Sequence, residues 1–169
     1  LASRPEAANL LWELKERPRH KPVILMAARG DTLLQCLGRA IEPAWQHMAD
    51  RYWPGALTLV LPAQGTWLEQ LNPGGTTLGL RLPACQAALE LLALSGPLAT
   101  TSANRSGEPA CTDADTAAAT FPTVPQLGPV PWPTPSGQAS TVLAWGQNGG
   151  WQLLRSGAVV PPEVDAPPT

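Results

Sequence analysis

The feature that most constrains this chain is a succession of short, unbroken apolar runs, each followed by a stretch with helical spacing. Val23 to Ala27, Leu57 to Leu61, Thr76 to Leu82 and Leu98 to Thr101 are too short for helices and read as strands. Because Val23 to Ala27 is continuously apolar, that run reads as a strand covered on both faces. Between the runs, Arg4 to Glu16 spaces Ala7, Leu10, Leu11 and Leu14 along one helical face and stops at Pro18. Asp31 can cap a second helix through Leu37, Glu42 to Tyr52 makes a third, and Ala84 to Leu94 a fourth. Asp113 to Thr120 is a short helix with Asp113 near its N-terminus. Residues 122 to 139, rich in Pro and Gly, are irregular loop. Two late strands, Ser140 to Ala144 and Trp151 to Arg155, flank a turn at Gln147 to Gly150. Their closeness makes part of the sheet antiparallel. The expected architecture is therefore an α/β fold around one mixed sheet, in a single domain over 1–160. A Pro-rich tail over 161–169 is expected to be disordered.

Composition narrows the function classes. The 169 residues are 44% hydrophobic and 14% charged, with a net charge of −2. That describes a soluble protein without an overall electrostatic footprint for nucleic acid. No apolar run is long enough to cross a bilayer, and no secretory signal pattern opens the chain, so the expected location is cytoplasmic. Cys36, Cys85 and Cys111 form no CxxC pair, which favours buried, inert thiols over zinc or disulfides. His20 and His47 stand near no acid or nucleophile and read as surface residues. The seven Trp are scattered and read as packing.

Charge is local instead. Four of eleven Lys and Arg fall within seven residues, Lys15, Arg17, Arg19 and Lys21, between a helix and a buried strand. Two prolines stiffen this segment. A phosphate grip and a solvated helix end, whose cations complement the dipole, both fit it. After the fourth strand, Thr100-Thr101-Ser102-Ala103-Asn104-Arg105-Ser106-Gly107 offers hydroxyls, an amide and backbone N–H groups to an anion, or is an ordinary turn. Walker A and GxGxxG patterns are absent. Arg81 and Arg155 end apolar strands and must find an anion, either a ligand or a surface carboxylate.

In order along nearly the whole chain, these segments resemble the YrdC family. Lys15-x-Arg17 with the distant Ser102-x-Asn104 is similar to the family's paired KxR and SxN motif. The blocks Trp53-Pro54-Gly55-Ala56-Leu57-Thr58-Leu59, Leu80-Arg81-Leu82-Pro83, Ser140-Thr141-Val142 and Leu154-Arg155-Ser156-Gly157-Ala158 accompany it. The resemblance implies a twisted open mixed sheet flanked by helices, and synthesis of threonylcarbamoyl-adenylate from ATP, with Mg2+, L-threonine and bicarbonate. It implies phosphate contacts from Lys15, Arg17, Lys21, Ser102 and Asn104. Thr77, Thr101, Ala103 and Arg155 would line the nucleotide, and Arg81 and Ser140 would hold threonine. The product would reach tRNA through a separate threonylcarbamoyl-transferase complex.

Three departures stand against the family pattern. A threonine-containing loop ahead of the first helix is missing, Met26 replaces a frequent His, and Cys85 replaces another. They leave open a second reading, a non-catalytic relative that binds nucleotide or RNA. A carbamoyl-transfer domain of a maturation enzyme would need zinc-finger and acylphosphatase-like parts that this sequence does not contain.

Overall fold

The computed structural model describes residues 5–16, 18, 23–132 and 136–164. Arg17, Arg19, His20 and Lys21 lie outside the described residues. Among the described residues, six strands form one open sheet in the order β4-β1-β3-β2-β5-β6. The strands are β1 (Ile24–Met26), β2 (Leu57–Pro62), β3 (Thr77–Arg81), β4 (Leu98–Thr100), β5 (Thr141–Gly146) and β6 (Gly150–Arg155). β1 runs parallel to β3, and β2 to β5, while β1–β4, β2–β3 and β5–β6 are antiparallel. The sheet is mixed, as the spacing of the late strands requires.

Helices α1 (Pro5–Leu14), α2 (Gly30–Gln35), α3 (Pro43–Tyr52), α4 (Thr66–Leu71), α5 (Gln86–Ser95) and α6 (Ala114–Thr120) separate or precede the strands. The core lies on one face of the sheet. Leu25, Leu57, Leu59, Leu61, Leu78, Leu80 and Leu143 point there and meet Trp12, Leu33, Leu37, Trp45 and Met48 from the helices. Burying a residue of this size contributes about 1.5–3 kcal/mol, so this layer holds the fold. No helix among the described residues is long and apolar enough to cross a membrane.

Several expectations change. Along α1 the buried residues are Ala8 and Trp12, continued by Lys15 just past its end, and Leu10 is exposed. The large indole turns inward and carries the helix round with it. Of the three thiols only Cys36 is buried, while Cys85 is exposed and Cys111 half-buried. Residues 161–164 are ordered against the body. Pro161 is buried, Val164 packs on the core, and Glu163 takes hydrogen bonds from Arg51 (2.5 Å) and the Tyr52 hydroxyl (3.0 Å). The reading of β1 as covered on both faces also fails. Leu25 is fully buried, but Ile24 and Met26 on the other side are only half-buried. The sheet has an open face.

Candidate functional site

Strand register lays out that open face in rows, because paired residues on adjacent strands share a side. One row runs Thr100, Ile24, Gly79, Val60, Ala144, Gln152 from β4 to β6. Its centre is a smooth apolar floor. At Gly79 an added Cβ would come within 2.9 Å of Ile24 Cγ2, so only glycine keeps the floor flat there. The next row runs Leu98, Met26, Arg81 and then Thr58, Val142, Arg155. The chain enters β1 and leaves β4 at the end nearer the first row, and Arg81 closes β3 at the other.

At the first end, two segments far apart in sequence meet. Lys15 sits just past α1 and is 2% exposed. Its ammonium donates to the Ser102 carbonyl and, at 2.9 Å, to Asn104 Oδ1. Ser102 Oγ donates to the same Oδ1 at 2.6 Å. Asn104 Nδ2 in turn donates to the carbonyls of Arg105 (2.9 Å) and Glu108 (2.7 Å). The backbone joins in: Ser106 N donates to Lys15 O at 3.0 Å. Arg105 completes the clasp by pairing with Glu16, whose φ of 53° turns the chain sharply between Lys15 and position 17. One amide side chain thus sets the shape of the whole 102–108 turn. A buried cation stands behind it, an arrangement that favours an anion in front. Thr101 is half-buried at the exit of β4, and Ala103 accepts from Cys111 N at 2.7 Å. Beside Asn104 lies a small cavity of about 300 Å³ lined by Glu108, Cys111, Thr112 and Thr116.

At the second end, Arg155 donates to the Ser140 carbonyl (2.7 and 3.1 Å) and to Ser140 Oγ (3.0 Å). Arg81 Nε donates to Gly55 O at 3.0 Å. Burial, and then the charge of Arg155, hold the Arg81 guanidinium below its ordinary pKa. It stays a cation at neutral pH because its ordinary value is so high. The ion pairs among the described residues are Arg29–Asp31, Arg51–Glu163 and Arg105–Glu16. Neither Arg81 nor Arg155 takes part. Of the two partners expected for these cations, no carboxylate of the described residues fills the role, and the face they occupy is the open one.

The remaining expected residues fall as follows. Thr77 shares the open side of β3 with Gly79 and Arg81 but lies at the far end of the strand. There it helps line a shallow cleft of about 760 Å³ with Arg39, Trp145 and Asn148. Met26 pairs with Arg81 in the same row, and Cys85 caps α5 outside it. His47 is exposed, as its surroundings in sequence suggest. Two residues that lie within the family blocks but were given no role there also belong here. Thr58 is 2% exposed on the open side of β2 and shares a hydrogen bond of 3.0 Å with Ser140 Oγ. Gly157 packs so close that a Cβ would overlap the backbone of residues 139–141. A lone hydroxyl in the apolar run Leu57 to Leu61 was the available signal for Thr58. For Gly157 there was only its place after Arg155.

Comparison with known proteins bears on the family and the fold. The family model described as "Telomere recombination", that of the Sua5, YciO and YrdC proteins, matches residues 1–157. The threonylcarbamoyl-AMP synthase of Pyrococcus abyssi is 38% identical over 116 residues, 68% of this chain and 34% of that protein. The Bacillus subtilis protein of the same name is also 38% identical, over 68% of this chain and 33% of its own length. Among solved structures, P. abyssi Sua5 complexed with L-threonine superposes with a TM-score of 0.82 at 34% identity. That match covers 92% of this chain and 46% of that one. Escherichia coli YciO, with a TM-score of 0.72, 18% identity, and 90% and 73% coverage, shares the fold. The chain spans about a third of the length of these two curated relatives. By the extent of that family match and by its sheet, the chain belongs to the Sua5/YciO/YrdC family.

Proposed function

We propose that this chain carries the nucleotide- and threonine-binding catalytic domain of a threonylcarbamoyl-AMP synthase. The observation that carries the reading is the meeting of Lys15 with Ser102 and Asn104 across 87 and 89 residues of chain. Arg81 and Arg155, which pair with no carboxylate among the described residues, stand together at the other end of the same face. Strand rise and spacing put roughly 15–20 Å between the two ends, room for a nucleotide meeting an amino acid between them. The names of the relatives supply the reaction class.

In this reading ATP enters as its magnesium complex, with its phosphates at the 102–108 turn, and Arg17 and Lys21 are assigned to the phosphates on the family motif alone. Thr77, Thr101, Ala103 and Arg155 line the nucleotide. Threonine lies against Arg81 and Ser140. Bicarbonate condenses with the threonine amine, releasing water and leaving a carbamate. A carbamate oxygen then attacks the α-phosphorus. The new P–O bond forms as the bond to pyrophosphate breaks, giving threonylcarbamoyl-AMP. The amine that reacts is the neutral form, so the threonine ammonium first gives one proton to solvent. No general base is needed at the phosphorus, so catalysis comes from positioning and charge. Delivery to tRNA falls to a separate transfer complex, and the domain works in the cytoplasm.

The test is pyrophosphate release from ATP by the purified chain. Release that needs both L-threonine and bicarbonate is expected. Nucleotide binding without such turnover would instead support the non-catalytic reading. Arg17→Ala is expected to weaken ATP binding about 10- to 150-fold, the loss of a charge-assisted hydrogen bond, and an unchanged Kd would remove Arg17 from the site.

A further inference from the structure

We propose that Arg105 is a phosphate ligand of the nucleotide site and that Glu16 holds it in reserve: without nucleotide the carboxylate occupies the guanidinium, and an incoming phosphate displaces it. The inference rests on the reading of the 102–108 turn as the phosphate site and adds a residue to it. Arg105 directly follows Asn104 in that turn, and Glu16 directly follows Lys15. Each half of the motif pair thus has a charged neighbour, and the family resemblance gives neither of them a role.

The geometry puts both side chains at the seam between the two halves. Ser106 N donates to Lys15 O at 3.0 Å, which joins the turn to the segment after α1. Arg105 Nη1 donates to Glu16 Oε1 across the same seam. Glu16 reaches it from a φ of 53°, a region that non-glycine residues seldom enter. The Phe121 ring lies 6.0 Å from the guanidinium carbon, a cation–π contact that steadies Arg105 without using a donor. A guanidinium carries five N–H donors in a planar fork. Among the described residues the bond to Glu16 is the one that this fork makes. The remaining donors are free for the paired oxygens of a phosphate, which the fork matches.

Exposure decides which anion prevails. The side chains of Arg105 and Glu16 are 41% and 70% exposed. An ion pair so open to water gains little, because solvent screens it and both side chains lose freedom in forming it. A phosphate brings more charge and more acceptor oxygens than one carboxylate. Lys15, 2% exposed behind Asn104, adds a second cation to the pull. The displaced carboxylate already stands mostly in water, so its release costs little. Glu16 therefore does in the unliganded chain what a phosphate does in the complex, and its charge opposes nucleotide entry until it swings aside.

The experiment is calorimetric titration of ATP, with magnesium, onto the full chain and its variants. Arg105→Gln removes the proposed ligand and should weaken binding about tenfold or more, as for a lost hydrogen bond to a charged group. Arg105→Lys keeps the charge but loses the fork, so it should fall in between, and it serves should the glutamine variant not fold. Glu16→Gln frees the guanidinium and should tighten binding about two- to fivefold, the strength of an exposed pair. That gain should vanish when Glu16→Gln is combined with Arg105→Gln. A pair that merely ties the seam together predicts the opposite sign: Glu16→Gln would then weaken ATP binding as Arg105→Gln does, and the proposal is overturned. A gain that persists in the double variant overturns it too, since it marks plain repulsion by Glu16. So does unchanged affinity in either single variant. In all these cases the unsubstituted chain still binds ATP and the site reading stands. If that chain binds no ATP, the reading itself falls, and this proposal with it.

Discussion

Asn104 is the residue on which most of the anion turn depends. Its carbonyl oxygen accepts from Lys15 and Ser102, and its amide nitrogen donates to two backbone carbonyls. Asn104→Asp keeps the shape but sets a second acceptor against those carbonyls. The expected cost is about 1–3 kcal/mol, seen as a lower melting temperature, together with ATP binding weakened tenfold or more in titration. Gly157 makes the same point at the other end. Its φ is ordinary, so the demand there is for space. A Cβ would overlap Ala139 O, Thr141 N and Ser140 C. Overpacking costs typically about 1–3 kcal/mol, and here the strain falls on the backbone of a residue that holds Arg155. Gly157→Ala is therefore expected to lower L-threonine affinity more than ATP affinity. Equal losses would show general damage instead.

The helices and strands show which part of the site could be read from sequence. Period and length located every strand to within a residue or two, because an apolar run between turn residues has few alternatives. α4 was missed: Thr66–Leu71 is six residues, too short for its apolar spacing to repeat. The face of α1 was misjudged because counting leucines ignores that an indole buries more surface than any of them. The two ends of the site were visible as clusters of cations and hydroxyls. Their meeting was expected only through the paired motif of the resemblance, since nothing local in Lys15 points to a partner 89 residues away. Cys36, at the C-terminal cap of α2, gives a prediction at this scale. Burial pushes its thiol from 9.0 up to about 11. The folded chain then holds its proton more tightly than the unfolded one. The resulting stability is complete below about pH 9 and is lost as pH rises through about 11. Urea midpoints measured across that window should fall, and Cys36→Ala should flatten the fall.

As a whole, the molecule packs its main core against one side of the sheet and leaves the other side open. Leucines spaced along the strands turn inward to the helices. The residues between them, Ile24, Gly79, Val60 and Ala144, become the floor of the open side. A continuous apolar run that normally signals two covered faces here signals one covered face and one left half-open. The neighbouring guanidiniums of Arg81 and Arg155 carry this separation into solution behaviour. Like charges with no internal counterion push against the empty fold, and dissolved ions relieve the push by screening it. Sodium chloride should therefore raise the melting temperature of the bare protein, and do so less once a bound carboxylate has already neutralised the pair. A melting curve run with and without salt would report occupancy of that corner directly, with no turnover required.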